Sequence, residues 1–181
     1  ENIINYLDIS KRDIVYICSD ITPLLLDAKI NKYFFDCDKF IDSIINKVGP
    51  DGTIIFPTFN WNFCKNEKFD IQKTASQCGA LTNIALKRKD FERTQHPIYS
   101  FSVWGKDKKK LISMNNKSSW GEDSPFAYLF EKKAKNLFVG IDYKKAFTMD
   151  HYFEQKNSVE YRYHKDFKAE YIDKKKNKSF K

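Results

Sequence analysis

The 181-residue chain is poor in the residues that announce a metal site or a disulfide framework. Its four cysteines, Cys18, Cys37, Cys64 and Cys78, never approach CxxC spacing, which argues against both a zinc site and a dense set of disulfides. The expectation is no bound metal, and reduced thiols in a cytoplasmic protein. No apolar run is long enough to span a bilayer, and the start lacks a basic segment followed by an apolar stretch and a small-residue cleavage site. No internal repeat or second domain is visible. Histidine is scarcer still, with only His96, His151 and His164. A general base working near neutral pH is most often histidine, with a free pKa of roughly 6.5, so these three form the whole pool of candidates.

What is present suits one folded domain with a sizeable core, since 16% of the residues are aromatic and the apolar content is ordinary. The net charge of +8 is unevenly placed. Residues 174–181 hold five lysines and no acid, and a lysine run of this kind reads as a solvated segment. A nucleic-acid-binding protein would instead carry a stripe of charge along the fold.

Residues 1–12 read as a short helix, and the compact apolar run 13–17 reads as a buried strand. Ser19 and Asp20 follow that strand directly, where open α/β sheets place ligands, although a turn with a helix cap would look the same. Residues 37–48 repeat apolar positions with the helical period and stop at Gly-Pro-Asp-Gly before a second buried strand, 53–57. Strand, helix, tight turn and strand make the right-handed crossover of a parallel sheet, which would bring Thr58, Asn60 and Trp61 beside Ser19 and Asp20. Residues 62–78 show no period and are expected to form a long loop, and a helix over 79–87 follows with Ser76 as its cap. His96, held extended before Pro97, leads into an alternating strand over 98–105. It suits either a wall of an active site or a histidine bonded to backbone. A surface helix at 108–114, an acid-bearing loop at 118–126 and a short helix at 127–131 precede a third buried strand, 136–141. Residues 161–172 alternate loosely, as a hairpin or an edge excursion would.

The stretch 148–154, Thr-Met-Asp-His-Tyr-Phe-Glu, sets His151 among acid and hydroxyl groups just past that third strand. With Thr148 as N-cap, His151 and Glu154 would share a helical face and a hydroxyl, an imidazole and a carboxylate could converge. The same pattern fits a capped amphipathic helix, and local pattern alone favours that plainer reading.

Five segments taken together are more specific. Residues 49–59 (Gly-Pro-Asp-Gly-Thr-Ile-Ile-Phe-Pro-Thr-Phe), Gly79-Ala-Leu, Arg93-Thr-Gln-His-Pro, Trp120-Gly-Glu-Asp-Ser-Pro-Phe and Phe147-Thr-Met-Asp-His-Tyr-Phe-Glu resemble, in order and spacing, the aminoglycoside 3-N-acetyltransferase family. The resemblance implies a three-layer α/β/α fold with a mixed, mostly parallel sheet, and acetyl transfer from acetyl-CoA to an amine of a sugar. It reverses the local preference at His151, which now resembles the family's base, with Thr148 and Glu154 completing its motif. It also points to CoA contacts at Ser19, Asp20, Ile21, His96, Pro97 and Trp104, and to a substrate site at Thr58, Asn60, Trp61 and Asp123.

There are departures from the family pattern. Many drug-modifying members carry His-Ser-Ser where this chain has Cys18-Ser19-Asp20, a version that resembles the surface-polysaccharide branch. Family chains also run on past residue 181, so residues 1–181 are expected to be one acetyltransferase domain without the family's C-terminal part, where an acid orienting the histidine is expected. The leading expectation is therefore acetylation of an amino sugar, plausibly nucleotide-linked and destined for a bacterial glycan, with acetylation of an aminoglycoside antibiotic as the alternative. A basic surface would suit the phosphates of CoA and of a sugar nucleotide. The aminoglycoside, a polycation, would want acids such as Asp20, Asp70, Glu122 and Asp123.

Overall fold

The computed structural model describes residues 3–180. A single turn of 3-10 helix, Ile3–Tyr6, replaces most of the helix expected at the start; residues 1 and 2 lie outside the described residues. The strand β1, Ile14–Ser19, is followed by a helix that the sequence reading did not include, α1, Thr22–Ile30. Its apolar residues do not gather on one face: Ala28 is buried while Leu25, Leu26 and Ile30 are exposed. The next helix, α2, Cys37–Val48, has the predicted limits. Asp36 caps it by accepting from the Lys39 N–H at 3.1 Å, and Gly49, at φ +69°, turns the chain out of it. Phe40, Ile41, Ile44 and Val48 form its buried face, and β2, Thr53–Pro57, is buried throughout. Each of these large apolar side chains contributes about 1.5–3 kcal/mol by leaving water.

The stretch read as a loop holds a 3-10 helix, Trp61–Lys65, and the two-residue strand β3, Phe69–Asp70. The helix α3, Ala80–Lys87, is not capped by Ser76. Its N-cap is Gly79, and Asn83 ties the turn down instead, donating to the carbonyls of Ser76 and Gly79 at 2.9 and 2.8 Å. Next come β4, Glu92–Arg93, and β5, Phe101–Gly105, the latter shorter than expected because residues 96–100 bend around His96. Then follow α4, Lys108–Ser113, α5, Pro125–Glu131, β6, Lys135–Val139, α6, Tyr143–Ala146, α7, Asp150–Lys156, β7, Glu170–Ile172, and β8, Lys178–Phe180.

The main sheet runs β4-β5-β2-β1-β6. It is mixed: β1 pairs in parallel with β2 and β6, while β5 is antiparallel to both β2 and β4. Alternate side chains feed two cores. Val15, Ile17, Ile54 and Phe56 join α2 and α3 on one face. Tyr16, Cys18, Ile55 and Phe101 join α5 and α7 on the other. This is the layered arrangement expected, with one correction: β6, read as a third buried strand, is the outermost one among the described residues and only partly buried. A second sheet, β3-β7-β8, packs Phe69 and Tyr171 face to face at 5.6 Å. It draws in the lysine-rich end, which is not merely solvated: Lys174 reaches Glu92 at 2.6 Å, Lys176 Asp70 at 3.3 Å and Lys178 Glu170 at 3.6 Å.

Two glycines press on the carboxyl end of β1. A Cβ at Gly79, φ +108°, would lie 3.2 Å from the Ser19 carbonyl, and one at Gly140, φ +64°, would lie 2.2 Å from that of Asp20. Gly140→Ala therefore meets both a left-handed backbone and a carbonyl that cannot move freely, and should lower the urea midpoint by the equivalent of about 1–3 kcal/mol at unchanged m-value.

Candidate active site

The sheet delivers Ser19, Asp20, Thr58 and Gly140 to one edge, the carboxyl ends of β1, β2 and β6. Beyond it lies an open cleft of about 1140 Å³, walled by His96, Pro97, Tyr99, Ser119, Trp120 and Glu154 and closed on its far side by residues 158–167.

Helix α7 carries the candidate catalytic pair. Its first-turn His151 and Glu154, three residues apart, lie on one face, with His151 Nδ1 3.0 Å from Glu154 Oε2. Glu154, a residue of the motif itself, is thus in contact with the imidazole. Trp120 stands edge-on to the imidazole at 5.2 Å and packs in turn on Phe126, which anchors the site to the core. Contact with His151 first, and then with Arg162 and Tyr161, holds the Glu154 carboxyl below its ordinary range. Both its oxygens are engaged, since Tyr161 donates to Oε1 at 3.1 Å and Arg162 Nη1 to Oε2. Thr148 is not the N-cap of α7: that position is Met149, and the Thr148 hydroxyl donates to the Ala146 carbonyl at 3.4 Å.

His96 is placed differently. Buried on the cleft wall, its Nδ1 accepts the backbone N–H groups of Ile98 and Tyr99 at 3.2 and 3.0 Å. Nδ1 therefore carries no proton, and Nε2–H is left to face the Ser119 hydroxyl at 3.3 Å.

The remaining predicted residues are scattered. At the end of β1, Ser19 Oγ is buried without a hydrogen-bond partner among the described residues. Asp20 is exposed and accepts from the Thr22 N–H at 3.0 Å, while Ile21 points into the core. Trp104 pairs with Ile54 near the amino end of β2, at the opposite end of the sheet. Thr58 is fully buried against the Ser100 hydroxyl at 3.0 Å, and Asn60 bonds Asn62 N–H and the Ala75 carbonyl. Trp61 is half-exposed, with its indole N–H 3.4 Å from Tyr99 OH on the cleft wall, and Asp123 is exposed on the loop before α5 and does not line the cleft. The residue that the sequence reading missed is Arg162. Its signal was its rarity: only four of the 32 basic residues are arginine, the side chain suited to forked contacts.

The family model for aminoglycoside 3-N-acetyltransferases matches residues 29–181, and the chain belongs to that family. A curated relative, the SPbeta prophage-derived aminoglycoside N(3')-acetyltransferase-like protein YokD of Bacillus subtilis strain 168, is 23% identical over 57% of this chain. The matched part spans 46% of that relative's length, about half. The crystal structure of YokD superposes with a TM-score of 0.79 at 21% identity, covering 98% of this chain and 76% of that one. The aminoglycoside acetyltransferase AAC-IIIb, in binary complex with CoASH, superposes with a TM-score of 0.82 at 16% identity, covering 98% and 70%. AAC-VIa with bound sisomicin does so with a TM-score of 0.76 at 20% identity, covering 98% and 70%. These likenesses establish the fold. Among the described residues no helix is long and apolar enough to cross a membrane, and no group of three or more His, Cys, Asp or Glu could hold a metal ion.

His96→Leu would leave the Ile98 and Tyr99 N–H groups without their acceptor, and should lower stability by roughly 1–3 kcal/mol in urea unfolding.

Proposed function

We propose that the protein transfers the acetyl group of acetyl-CoA to an amine of an aminoglycoside, with His151 as general base. The observation that carries this reading is the His151–Glu154 pair on α7, set against Trp120 at the wall of the cleft. A protonated amine has no lone pair, so attack on a thioester needs a group that accepts the proton as the C–N bond forms. An imidazole whose Nδ1–H is held by a carboxylate presents Nε2 for that task. The tetrahedral oxyanion then needs donors, for which backbone N–H groups at the strand ends are the candidates, the Thr148 hydroxyl being turned to the Ala146 carbonyl.

The residues at the end of β1 suit CoA. A buried hydroxyl without a partner among the described residues, Ser19 Oγ, lies there beside the close-packed Gly79, and the amides of a pantetheine arm could satisfy it. His96 and Pro97 extend the same role to the cleft wall. Direct transfer is favoured over an acetyl-cysteine intermediate, because burial pushes the Cys18 thiol up to about 12 and raises Cys78 as well, leaving little thiolate. Cytoplasmic acetyl-CoA would supply such an enzyme.

The names of the relatives support an aminoglycoside acceptor better than the nucleotide-linked sugar favoured by the sequence. The cleft adds nothing for a diphosphate, since Glu154, Glu160 and Asp166 offset Lys117, Arg162 and Lys165 on its walls. A thiol-release assay on a chain of the relatives' length, offered acetyl-CoA with aminoglycosides or nucleotide-linked amino sugars, should show turnover of the aminoglycosides. Turnover confined to the sugar nucleotides would reverse the assignment of acceptor. His151→Asn should lower kcat by about 10²–10⁴ while CoA affinity stays near wild type; a near-normal kcat would remove His151 as the base.

A further inference from the structure

A second cavity, of about 460 Å³, opens between α3, the edge strand β4 and residues 71–75, and it shares no lining residue with the cleft. It lies on the face of the main sheet that α3 covers, whereas Tyr99 and Trp120 of the cleft wall belong to the core on the other face. Phe101 and Val103 of β5 point into that other core, so Ser102 between them points the opposite way, into the second cavity. Its hydroxyl is buried and has no hydrogen-bond partner among the described residues. Groups of that kind are few in a folded protein, and each calls for a partner that the chain itself does not supply.

The charge around the cavity is one-sided. Arg93, which stands opposite Ser102 in the β4–β5 ladder, lines it too. The buried guanidinium donates to the Ser100 hydroxyl at 2.8 Å and to the Thr58 carbonyl at 2.6 Å, both neutral acceptors, and makes no ion pair among the described residues. Asp70, whose charge reaches it through space, is itself held by Lys176 at 3.3 Å and by the Gln72 N–H at 2.9 Å. Three exposed lysines also line the cavity. Lys174 is neutralised by Glu92 at 2.6 Å, but Lys73 and Lys87 pair with no carboxylate among the described residues. Ile71, Leu86 and Phe91 supply apolar wall.

We propose that this cavity is a second binding site, separate from the acetyl-transfer cleft, for a small phosphorylated organic molecule. Its volume falls within the range of about 300–1,000 Å³ in which small molecules are bound. A phosphate monoester carries about −1.5 to −2 charges at pH 7 and several acceptor oxygens. That charge suits two unpaired lysines beside a buried guanidinium better than the single charge of a carboxylate does. The phosphate sits at the exposed rim, where Lys73 and Lys87 donate to it. The organic body lies against Ile71, Leu86 and Phe91, and one of its polar atoms accepts the hydrogen of Ser102 Oγ.

The test needs no acetyl transfer. Inorganic phosphate, ribose 5-phosphate and AMP are titrated at constant ionic strength into the 15N-labelled protein, with ribose and adenosine as uncharged controls. Ribose 5-phosphate or AMP should shift the amide signals of residues 71–75, 87 and 102 saturably while those of Trp120 and His151 stay in place, and the tighter of the two shows whether the body is a sugar or a base. The uncharged controls should bind at least about tenfold more weakly, the equivalent of one lost charge-assisted contact. Replacing both surface lysines, Lys73→Met with Lys87→Met, should weaken the organic phosphate by a similar factor. Ser102→Ala should weaken it several-fold and yet raise the urea midpoint, because it removes a buried hydroxyl that has no partner when the site is empty. The proposal is overturned if neither organic phosphate shifts these signals saturably, or if inorganic phosphate binds as tightly as they do, which would mark a plain ion contact of the lysines. Unchanged affinity in the lysine variant overturns it as well, and so does a folded Ser102→Ala protein that binds like the wild type.

Discussion

The two parallel ladders of β1, one with β2 and one with β6, are the constraint on which the rest of the structure depends. Parallel neighbours cannot be joined by a hairpin, so the chain must cross back over the sheet each time. The first crossing creates α1 and α2 and covers one face with the apolar residues of α2. The return to β6, by way of β5, α4 and α5, covers the other. Both journeys bring a strand's carboxyl end to the same edge, which is why Ser19, Thr58 and Gly140 meet there although they are far apart in sequence. Gly79 and Gly140 then allow backbone to press against the end of β1 where any side chain would collide. Helix α7 starts from this edge, and so Glu154 reaches the cleft wall, with His151 beside it anchored through Trp120 and Phe126 to the core.

A second theme is the use of arginine in a chain whose basic residues are nearly all lysine. Arg88 gathers Asp38, Asp42 and Asp90 between α2 and the turn before β4. Arg93, buried and lowered to about 10 by loss of solvent, donates to the Thr58 and Thr74 carbonyls and the Ser100 hydroxyl while lying over the Phe69 ring at 4.6 Å. It thereby ties the two sheets together. Arg162 lies against His151 and Glu154 of the candidate site. In each case the planar fork reaches several partners at fixed angles, which a lysine ammonium on a flexible stem does less well. The lysine ion pairs lie mostly on the surface, where each is worth little.

How far the sequence could be read followed from how local the signals were. Helix α2 and β2 were legible to the residue because a cap, a helical period and a Gly-Pro turn all act within a few positions. Helix α1 left no trace because its apolar residues face water as often as the core. Thr58 and Asn60 looked like ligand contacts from their place after a strand, yet the structure commits both to internal hydrogen bonds whose partners lie 15 to 42 positions away. His151 and Glu154 were legible as a pair, being one helical turn apart. Arg162 was not, because the loose alternation read over residues 161–172 is irregular chain up to β7, and only the folded chain brings Arg162 onto α7.

The central claim is that His151 takes the proton from the acceptor amine, and the pH dependence of kcat/KM tests it most directly. On a chain of the relatives' length, the wild-type profile should fall toward acid as a single group protonates, and the same assay on His151→Asn should show residual activity without that limb. An acid limb that survives unchanged in the His151 variant would place the essential base elsewhere and contradict the account.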